Sequence, residues 1–329
     1  MCIVPPPTCG PDEYLDTSSN TCFPKPGCFE GEQFSYCSDG LAPRRKKELG
    51  DPDDCNKGPL GEGNPVNSAT GNKYQRETDY TAAAGSLNFE RSYNSQSNVS
   101  GVLGYGWRHH WQASLKRYDH ATYGSHIVAT RPDGQAYYFT YSGGAWVNEP
   151  DITTRLTQTG SSYVLTDDQS QRETYDSAGK LLAMESAGGQ SFTLSYSGNL
   201  LSSVTDQFGR SLSFAYNGQG RLAAVTDPAS KVTSYAYSGT GNLTSVIYPD
   251  NKSRIYHYEN AGFPHALTGI TDENGDRYAT WSYDGQGRAI TSTHAGGADS
   301  TTLTYNADAS TTVTDALGLV RTRTFTTLH

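Results

Sequence analysis

From residue 63 onward, apolar and polar positions alternate in short runs, and each run is broken by a cluster of Gly, Asn, Asp or Ser. Ser211-Leu-Ser-Phe-Ala-Tyr216 is one such run, placing Leu212, Phe214 and Tyr216 at every second position. Period two bounded by turn residues marks half-buried strands, and no stretch in this region carries the 3.6-residue period of an amphipathic helix. Upstream of residue 170, candidate strands fall around 74–80, 87–93, 110–118, 126–130, 136–141 and 162–166. The clearest hairpin there is Arg131-Pro-Asp-Gly-Gln135 followed by Ala136-Tyr-Tyr-Phe-Thr140.

A longer period overlies the short one. Tyr175, Tyr196, Tyr216, Tyr237, Tyr258, Tyr283 and Tyr305 stand 21, 20, 21, 21, 25 and 22 residues apart. Two copies show the whole unit: Tyr216-Asn-Gly-Gln-Gly-Arg-Leu-Ala-Ala-Val-Thr-Asp227 and Tyr283-Asp-Gly-Gln-Gly-Arg-Ala-Ile-Thr-Ser-Thr293. The tyrosine ends one strand, Asn-Gly or Asp-Gly begins a tight turn, and Arg221 or Arg288 is expected to open the next strand. A second turn, as at Asp206-Gln-Phe-Gly209 or Asp227-Pro-Ala-Ser230, returns the chain to the following tyrosine. One supersecondary unit used repeatedly cannot bury its own apolar face, so neighbouring copies must pair into a common core. The expected fold is all-β: a curved or spiralling antiparallel sheet of repeated hairpins. Seven units of two strands give about 14 strands, wider than open sheets normally run without curling or closing.

These residues resemble the YD repeats of bacterial Rhs proteins and the teneurins, in which Tyr-Asp-x-x-Gly-x-Leu recurs. Tyr175-Asp176 and Tyr283-Asp284 keep the literal dipeptide, while Ser197, Asn217, Ser238, Glu259 and Asn306 follow the other tyrosines. A second resemblance lies upstream, in four blocks: Asn64-Pro-Val-Asn-Ser-Ala-Thr-Gly-Asn-Lys73, Glu77-Thr-Asp79, Leu87-Asn-Phe-Glu-Arg-Ser-Tyr-Asn94 and Leu103-Gly-Tyr-Gly-Trp-Arg108. They look like the segment that opens an Rhs core, with Asn64, Pro65, Gly71, Arg91, Tyr93, Asn94, Gly104, Gly106 and Trp107 as its motif residues. Three parts follow: a Cys- and Pro/Gly-rich leader (1–62), an opening β module (63–169) and a YD-repeat array (170–329). The resemblance implies a spiralling sheet around a hollow, which bacterial members use to hold a C-terminal toxin. Such members end the core with Asp-Pro-x-Gly. Here Asp227-Pro228 is followed by Ala-Ser inside an ordinary repeat, so a truncated wall segment is expected, not a closed, cargo-cutting shell.

Composition narrows the partners. The net charge of −9 disfavours nucleic acid and anionic membrane surfaces. No run approaches the roughly 18 apolar residues of a membrane-spanning helix. Cys2, Cys9, Cys22, Cys28, Cys37 and Cys55 all fall in the leader, which lacks apolar periodicity. Disulfides in an oxidising compartment are the favoured reading of so coreless a segment. Unpaired thiols and zinc are the alternatives, though no Cys-x-x-Cys pair occurs and the first histidine is His109. No signal peptide is visible, since Met1-Cys-Ile-Val4 runs into Pro5-Pro-Pro7. A secreted or cell-surface bacterial location would therefore need another export route or a signal removed from this chain.

Candidate chemistry is sparse. The Gly218-Gln-Gly220, Gly239-Thr-Gly241 and Gly285-Gln-Gly287 loops recur in register at repeat turns and open no helix, so they read as turns and not as phosphate cradles. His109 and His110 lie between Trp107 and Trp111, and adjacent strand residues point to opposite faces, which suits packing. Asp272-Glu-Asn-Gly-Asp276 lacks the distal glutamate of an EF-hand and reads as a hairpin turn. No nucleophile elbow or zinc-protease motif occurs, so the expectation is a non-catalytic protein with no cofactor. Its job would be to enclose or present another polypeptide. The alternative is a carbohydrate-binding adhesin whose exposed repeat tyrosines stack on sugars. Against it stands a structural ladder that keeps the repeats in register. An unpaired last strand at 319–327 is expected to invite homo-oligomers through its edge.

Overall fold

A computed structural model describes residues 49–53, 60–82, 87–120, 124–148 and 152–325, together with four short strands upstream. Those four form two hairpins: β1 (Glu13–Asp16) with β2 (Thr21–Pro24), and β3 (Phe29–Gly31) with β4 (Phe34–Tyr36). They belong to a separate compact unit, residues 1–45 with 120–123. The six candidate disulfide cysteines lie outside the residues whose side chains are described.

The larger unit, residues 46–119 and 124–329, holds one sheet of 17 antiparallel strands, from β16 (Arg155–Thr159) to β32 (Val320–Arg323), in strict chain order. The two ends of this sheet do not pair with each other. It is wider than the roughly 14 strands expected, because β16 and β17 (Ser162–Thr166) join it ahead of Tyr175 and β32 follows the last complete hairpin. Leu156, Tyr163 and Leu165 are buried there, so this stretch already has the alternation needed to pair with β18 (Arg172–Tyr175).

Eight of the hairpin turns repeat one device. At Asn217 the side-chain Oδ1 accepts N–H bonds from Gln219 (2.9 Å) and Arg221 (3.0 Å), while the Gly220 N–H closes the turn on the Asn217 carbonyl (2.9 Å). Asp167, Asp176, Asp206, Asp227, Asp272, Asp284 and Asp315 do the same for their own turns. The fourth residue of the turn must take positive φ, which glycine adopts without a Cβ clash, as at Gly220 (φ 72°) and Gly287 (φ 75°). Arg221 and Arg288 are the last turn residues and do not open strands: β23 begins at Leu222 and β29 at Ala289. At Tyr175, Tyr196, Tyr216, Tyr237 and Tyr283 the register shifts by one, as between Ala215 and Tyr216, which leaves Ala223 as a bulge in the strand after the turn.

Alternation gives the sheet two unlike faces. Leu194, Leu212, Phe214, Leu222, Val225, Tyr235, Val246, Ile270, Trp281 and Leu303 point inward and are buried. The other face is largely Ser and Thr, in cross-strand pairs such as Thr193–Thr205, Ser195–Ser203, Thr291–Thr302 and Thr304–Thr312. The buried face is covered by the upstream segment, residues 60–148. That segment contributes a three-stranded sheet, in the order β11 (Trp107–His109), β8 (Phe89–Asn94), β7 (Tyr74–Tyr80). It also contributes a four-stranded sheet, β12 (Ser114–His120) to β15 (Ala145–Asn148). Lining and repeats share one continuous apolar core, with Phe89 against Phe214 at 5.6 Å and Trp111 against Phe192 at 5.0 Å.

Candidate functional site

The chemistry of the molecule is concentrated in the seam between the lining segment and the sheet. The two run in opposite senses. Early lining residues meet late strands: Ser68 O accepts from Thr311 Oγ1 (2.7 Å), and Asn64 O accepts from Trp281 Nε1 (3.1 Å). Late lining residues meet early strands: the Leu115 N–H bonds Gly179 O (2.8 Å), and Arg131 grips Glu173.

Along β7 and the residue before it, every second side chain is polar and faces the sheet. Lys73 is fully buried. Its ammonium donates to Asn64 O (2.5 Å), Gln75 Oε1 (2.8 Å) and Tyr74 O, and lies 4.1 Å over the Trp281 ring. Burial pushes the Lys73 pKa well down, with Glu77 pulling the other way. Glu77 accepts from Gln75 Nε2 (2.8 Å) and pairs with Arg254, which also reaches Glu273 (3.0 Å). Burial raises the Glu77 pKa despite the attraction of Arg254 and Arg91. Asp79 and Arg91 form a buried two-bond pair at 2.6 and 2.8 Å. Burial opposes the Arg91 charge, but Asp79 outweighs it and holds the guanidinium protonated. Tyr235 donates to Asp79 (2.7 Å), Arg91 donates to Tyr256 (2.8 Å), and Trp107 lies under the guanidinium at 4.8 Å. Such a string is costly to bury and is tolerable only because nearly every donor and acceptor is met. Arg91 Nη1 and Arg254 Nε are the exceptions in the string.

Two further clasps act at the ends. Arg131 binds Glu173 through two 2.6 Å bonds, and Tyr175 adds a third donor at 2.5 Å. Burial works against the Glu173 carboxylate, yet Arg131 and these bonds hold its pKa below the usual range. At the other end Glu62 takes Arg323 at 2.8 Å and Arg321 at 3.3 Å.

The repeat tyrosines serve the sheet. Tyr196, Tyr216, Tyr237, Tyr283 and Tyr305 donate to the carbonyls of Leu181, Leu201, Leu222, Leu267 and Ala289, at 2.7 to 2.9 Å. Each hydroxyl thus ties its hairpin to the preceding one. Tyr258 instead accepts from Trp107 Nε1 (2.9 Å), and Tyr175 joins the Arg131–Glu173 clasp. Lys180, Arg221 and Arg288 lie over the rings of Tyr196, Tyr237 and Tyr305 at 4.9, 5.6 and 4.2 Å. Tyr175 and Tyr283 are buried and the other five are half-buried. The exposed ladder that sugar stacking would require is therefore replaced by buried or half-buried rings packed on the core, three of them under a cation.

The upstream motif residues all fall in the seam or brace it. Tyr93 donates to His265 O (2.8 Å) and accepts from the Leu267 N–H (2.9 Å). Asn94 accepts from Gly50 and Asn72 and donates to Asp133 O (2.7 Å). The Pro65 carbonyl accepts from Tyr74 (3.2 Å). Gly71 (φ 76°) offers its carbonyl to Ala289, and a Cβ there would stand 2.9 Å from Arg288 Cα. Gly104 (φ 84°) lies against Gly241 O, and Gly106 (φ 75°) against the Tyr93 ring. His109 is buried beside Phe89, and burial drives its pKa down to about 3. Lys73, Glu77 and Asp79 belong to the quoted upstream blocks, but their pairing with the sheet was not foreseen, nor were the roles of Arg131, Glu173, Arg254, Glu62, Arg321 and Arg323. The available signal was the every-second-residue polar pattern Lys73, Gln75, Glu77, Asp79 in a strand expected to be half buried. Among the described residues no group of His, Cys, Asp or Glu is arranged to hold a metal ion. No helix among them is long and apolar enough to cross a membrane.

Two family models match the chain. The RHS Repeat model matches residues 197–232 and 216–253. This stretch of the chain carries RHS repeats. A domain-of-unknown-function model, DUF6531, covers residues 63–139 and so most of the lining segment. No curated protein matches the chain significantly. Among solved structures it is similar to a chain of the Photorhabdus luminescens Tc holotoxin pore, at 14% identity and a TM-score of 0.32, over 88% of this chain and 16% of that one. It is also similar to a chain of the TcdB2–TccC3–Cdc42 crystal structure, at 13% identity and a TM-score of 0.33, over 76% of this chain and 19% of that one. The protein thus spans about a fifth or less of the chains it matches.

Proposed function

We propose that this chain is a wall segment of an Rhs-type β-shell that encloses or presents another polypeptide, and that it works without catalysis. The observation that carries this reading is the 17-stranded sheet in strict chain order, in which five of the seven repeat tyrosines tie a hairpin to the preceding one through their hydroxyls. A wall needs a stiff, extendable sheet with one sealed face. Here the lining segment seals the apolar face along its length, so the wall is stable without cargo against it. The buried ions fit this role: they match complementary partners only when lining and sheet are in one register. The repeat tyrosines, two buried and five half-buried, supply no support for sugar binding.

Electron microscopy of the purified chain, with size-exclusion light scattering, tests the reading. An extended sheet-like particle is the expected outcome. A compact particle with no such sheet would overturn it. Turnover of ester, glycoside or peptide substrates that survives removal of contaminants would overturn the non-catalytic part.

A further inference from the structure

The three-stranded sheet of the lining has a second face, turned away from the seam. Along β7 and β8, Tyr74, Arg76, Glu90 and Ser92 alternate with Gln75, Glu77 and Arg91 and so point away from the long sheet. Residues 49–53 and the turn between β13 (Gly124–Thr130) and β14 (Ala136–Ser142) fold against this face. The Gly50 N–H bonds Asn94 Oδ1 (2.8 Å) and the Asp51 N–H bonds Asp133 Oδ2 (3.3 Å). A cavity of about 340 Å³ remains between them, within the size range of small-ligand sites.

The floor of this cavity has a donor to spare. Tyr74 and Ser92 line it, are only 3% and 8% exposed, and hold their hydroxyls 3.1 Å apart. Two hydroxyls carry two hydrogens, and only one can lie between the oxygens. The other O–H meets no acceptor among the described residues, and a buried donor left so is costly until something in the cavity accepts it. The walls are the reverse. Asp51, Asp53, Glu90 and Asp133 border the cavity, against Arg76 on its wall and Arg108 beside Gly134. Asp53 spends Oδ1 on the Gly61 N–H (2.9 Å), and Glu90 takes both Arg76 bonds (2.9 and 2.6 Å) on Oε2. Asp53 Oδ2 and Glu90 Oε1 bond to nothing among the described residues, so the walls offer acceptors and an excess of negative charge.

We propose that this cavity captures the free N-terminus of another polypeptide, whose α-ammonium donates to Asp53 and Glu90 while its first carbonyl oxygen accepts from the Tyr74–Ser92 hydroxyl pair. This deepens the wall reading, on which it rests for the biological role of the partner. An α-ammonium beside a carbonyl brings both things the cavity lacks, a cation with several donors and a nearby acceptor. A lysine or arginine side chain brings donors without an acceptor. A free amino acid brings a carboxylate that the acidic walls repel.

The test is calorimetry on the full chain with four probes: Ala-Ala-amide, acetyl-Ala-Ala-amide, free alanine and acetyl-lysine-amide. Ala-Ala-amide should bind at millimolar concentration or below, and the other three about tenfold more weakly or worse. Asp53→Asn changes an exposed side chain that can still accept from Gly61, and Tyr74→Phe removes one hydroxyl of the floor. Each should weaken Ala-Ala-amide by about three- to tenfold. Affinity should also fall about tenfold from pH 7 to pH 9, where an α-ammonium of pKa about 8 gives up its proton. The groups around the cavity hold their charge state over that range. Burial lowers the His110 pKa and raises that of Tyr74, and Arg108, lowered by burial to about 10, stays largely protonated. Equal or tighter binding of any of the other three probes, an affinity level between the two pH values, or no binding at tens of millimolar would overturn the proposal. A chain that shows the extended sheet by microscopy yet ignores Ala-Ala-amide removes the capture site and leaves the wall. Selective binding of Ala-Ala-amide by a compact particle would do the reverse.

Discussion

Asp79→Asn should cost more by itself than together with Arg91→Met. In Asp79→Asn the Arg91 guanidinium loses its counter-charge and one of the two oxygens that accept its 2.6 and 2.8 Å bonds, keeping one amide oxygen and Tyr256. It cannot shed its proton to escape burial. An uncompensated buried charge of this kind costs about 3–5 kcal/mol, and that cost should hardly change between pH 5 and 7. In the double variant no charge is left at the site: an apolar side chain fills the place of the guanidinium, and the asparagine still accepts from Tyr235. The double variant should therefore recover about 1–3 kcal/mol of the Asp79→Asn loss, a coupling that independent sites would not show. Denaturant unfolding of both variants and the parent at the two pH values reads this directly. A cost below about 1 kcal/mol for Asp79→Asn, or a double variant no more stable than Asp79→Asn, would refute the view that this pair is a sealed ionic clasp.

Three further outcomes follow from the same geometry. Tyr216→Phe removes the 2.9 Å bond to Leu201 O and keeps the ring, so it should cost about 1 kcal/mol in denaturant unfolding, and a neutral result would count against the hydroxyl tie. Gly104→Ala and Gly209→Ala compare equal backbones: both have φ near 80°, but the new Cβ at 104 would meet Gly241 O at 2.4 Å while the one at 209 meets open space. Gly209→Ala should cost about 1–2 kcal/mol, the left-handed penalty alone, and Gly104→Ala clearly more, read as melting temperatures. Glu173, whose pKa is held low by Arg131 in spite of burial, contributes stability that is present above the ordinary carboxylate pKa and lost as pH falls through its depressed value. Glu173→Gln should accordingly lower stability at pH 7 and flatten the acid limb of the melting-temperature profile. An unchanged acid limb would remove Glu173 from the clasp.

Much of the repeat architecture was legible because it is local. The period-two runs, the Asn or Asp at each turn and the glycine three positions later dictate hairpins through bonds within five residues, as at Asn217, Gln219, Gly220 and Arg221. The near-21-residue spacing of the tyrosines dictates that consecutive hairpins pair in order. The same locality explains the two small departures. Arg221 and Arg288 close turns because their carbonyls accept the N–H groups of Asn217 and Asp284, and Leu156 to Leu165 join the sheet because they alternate like the repeats.

The seam was decided only by tertiary structure. Nothing near Lys73, Glu77 or Asp79 in sequence says that Trp281, Arg254 and Tyr235 will be their partners, because these pairs are 156 to 208 residues apart. Sequence alternation shows which face of a strand is buried, but not what covers it. The lining runs against the sheet from its last strand to its first, so each buried charge finds its counter-charge at a distance that no local pattern encodes. The chain alone determined a wall of tyrosine-tied hairpins. Its folding decided that the inner face is filled by its own upstream segment.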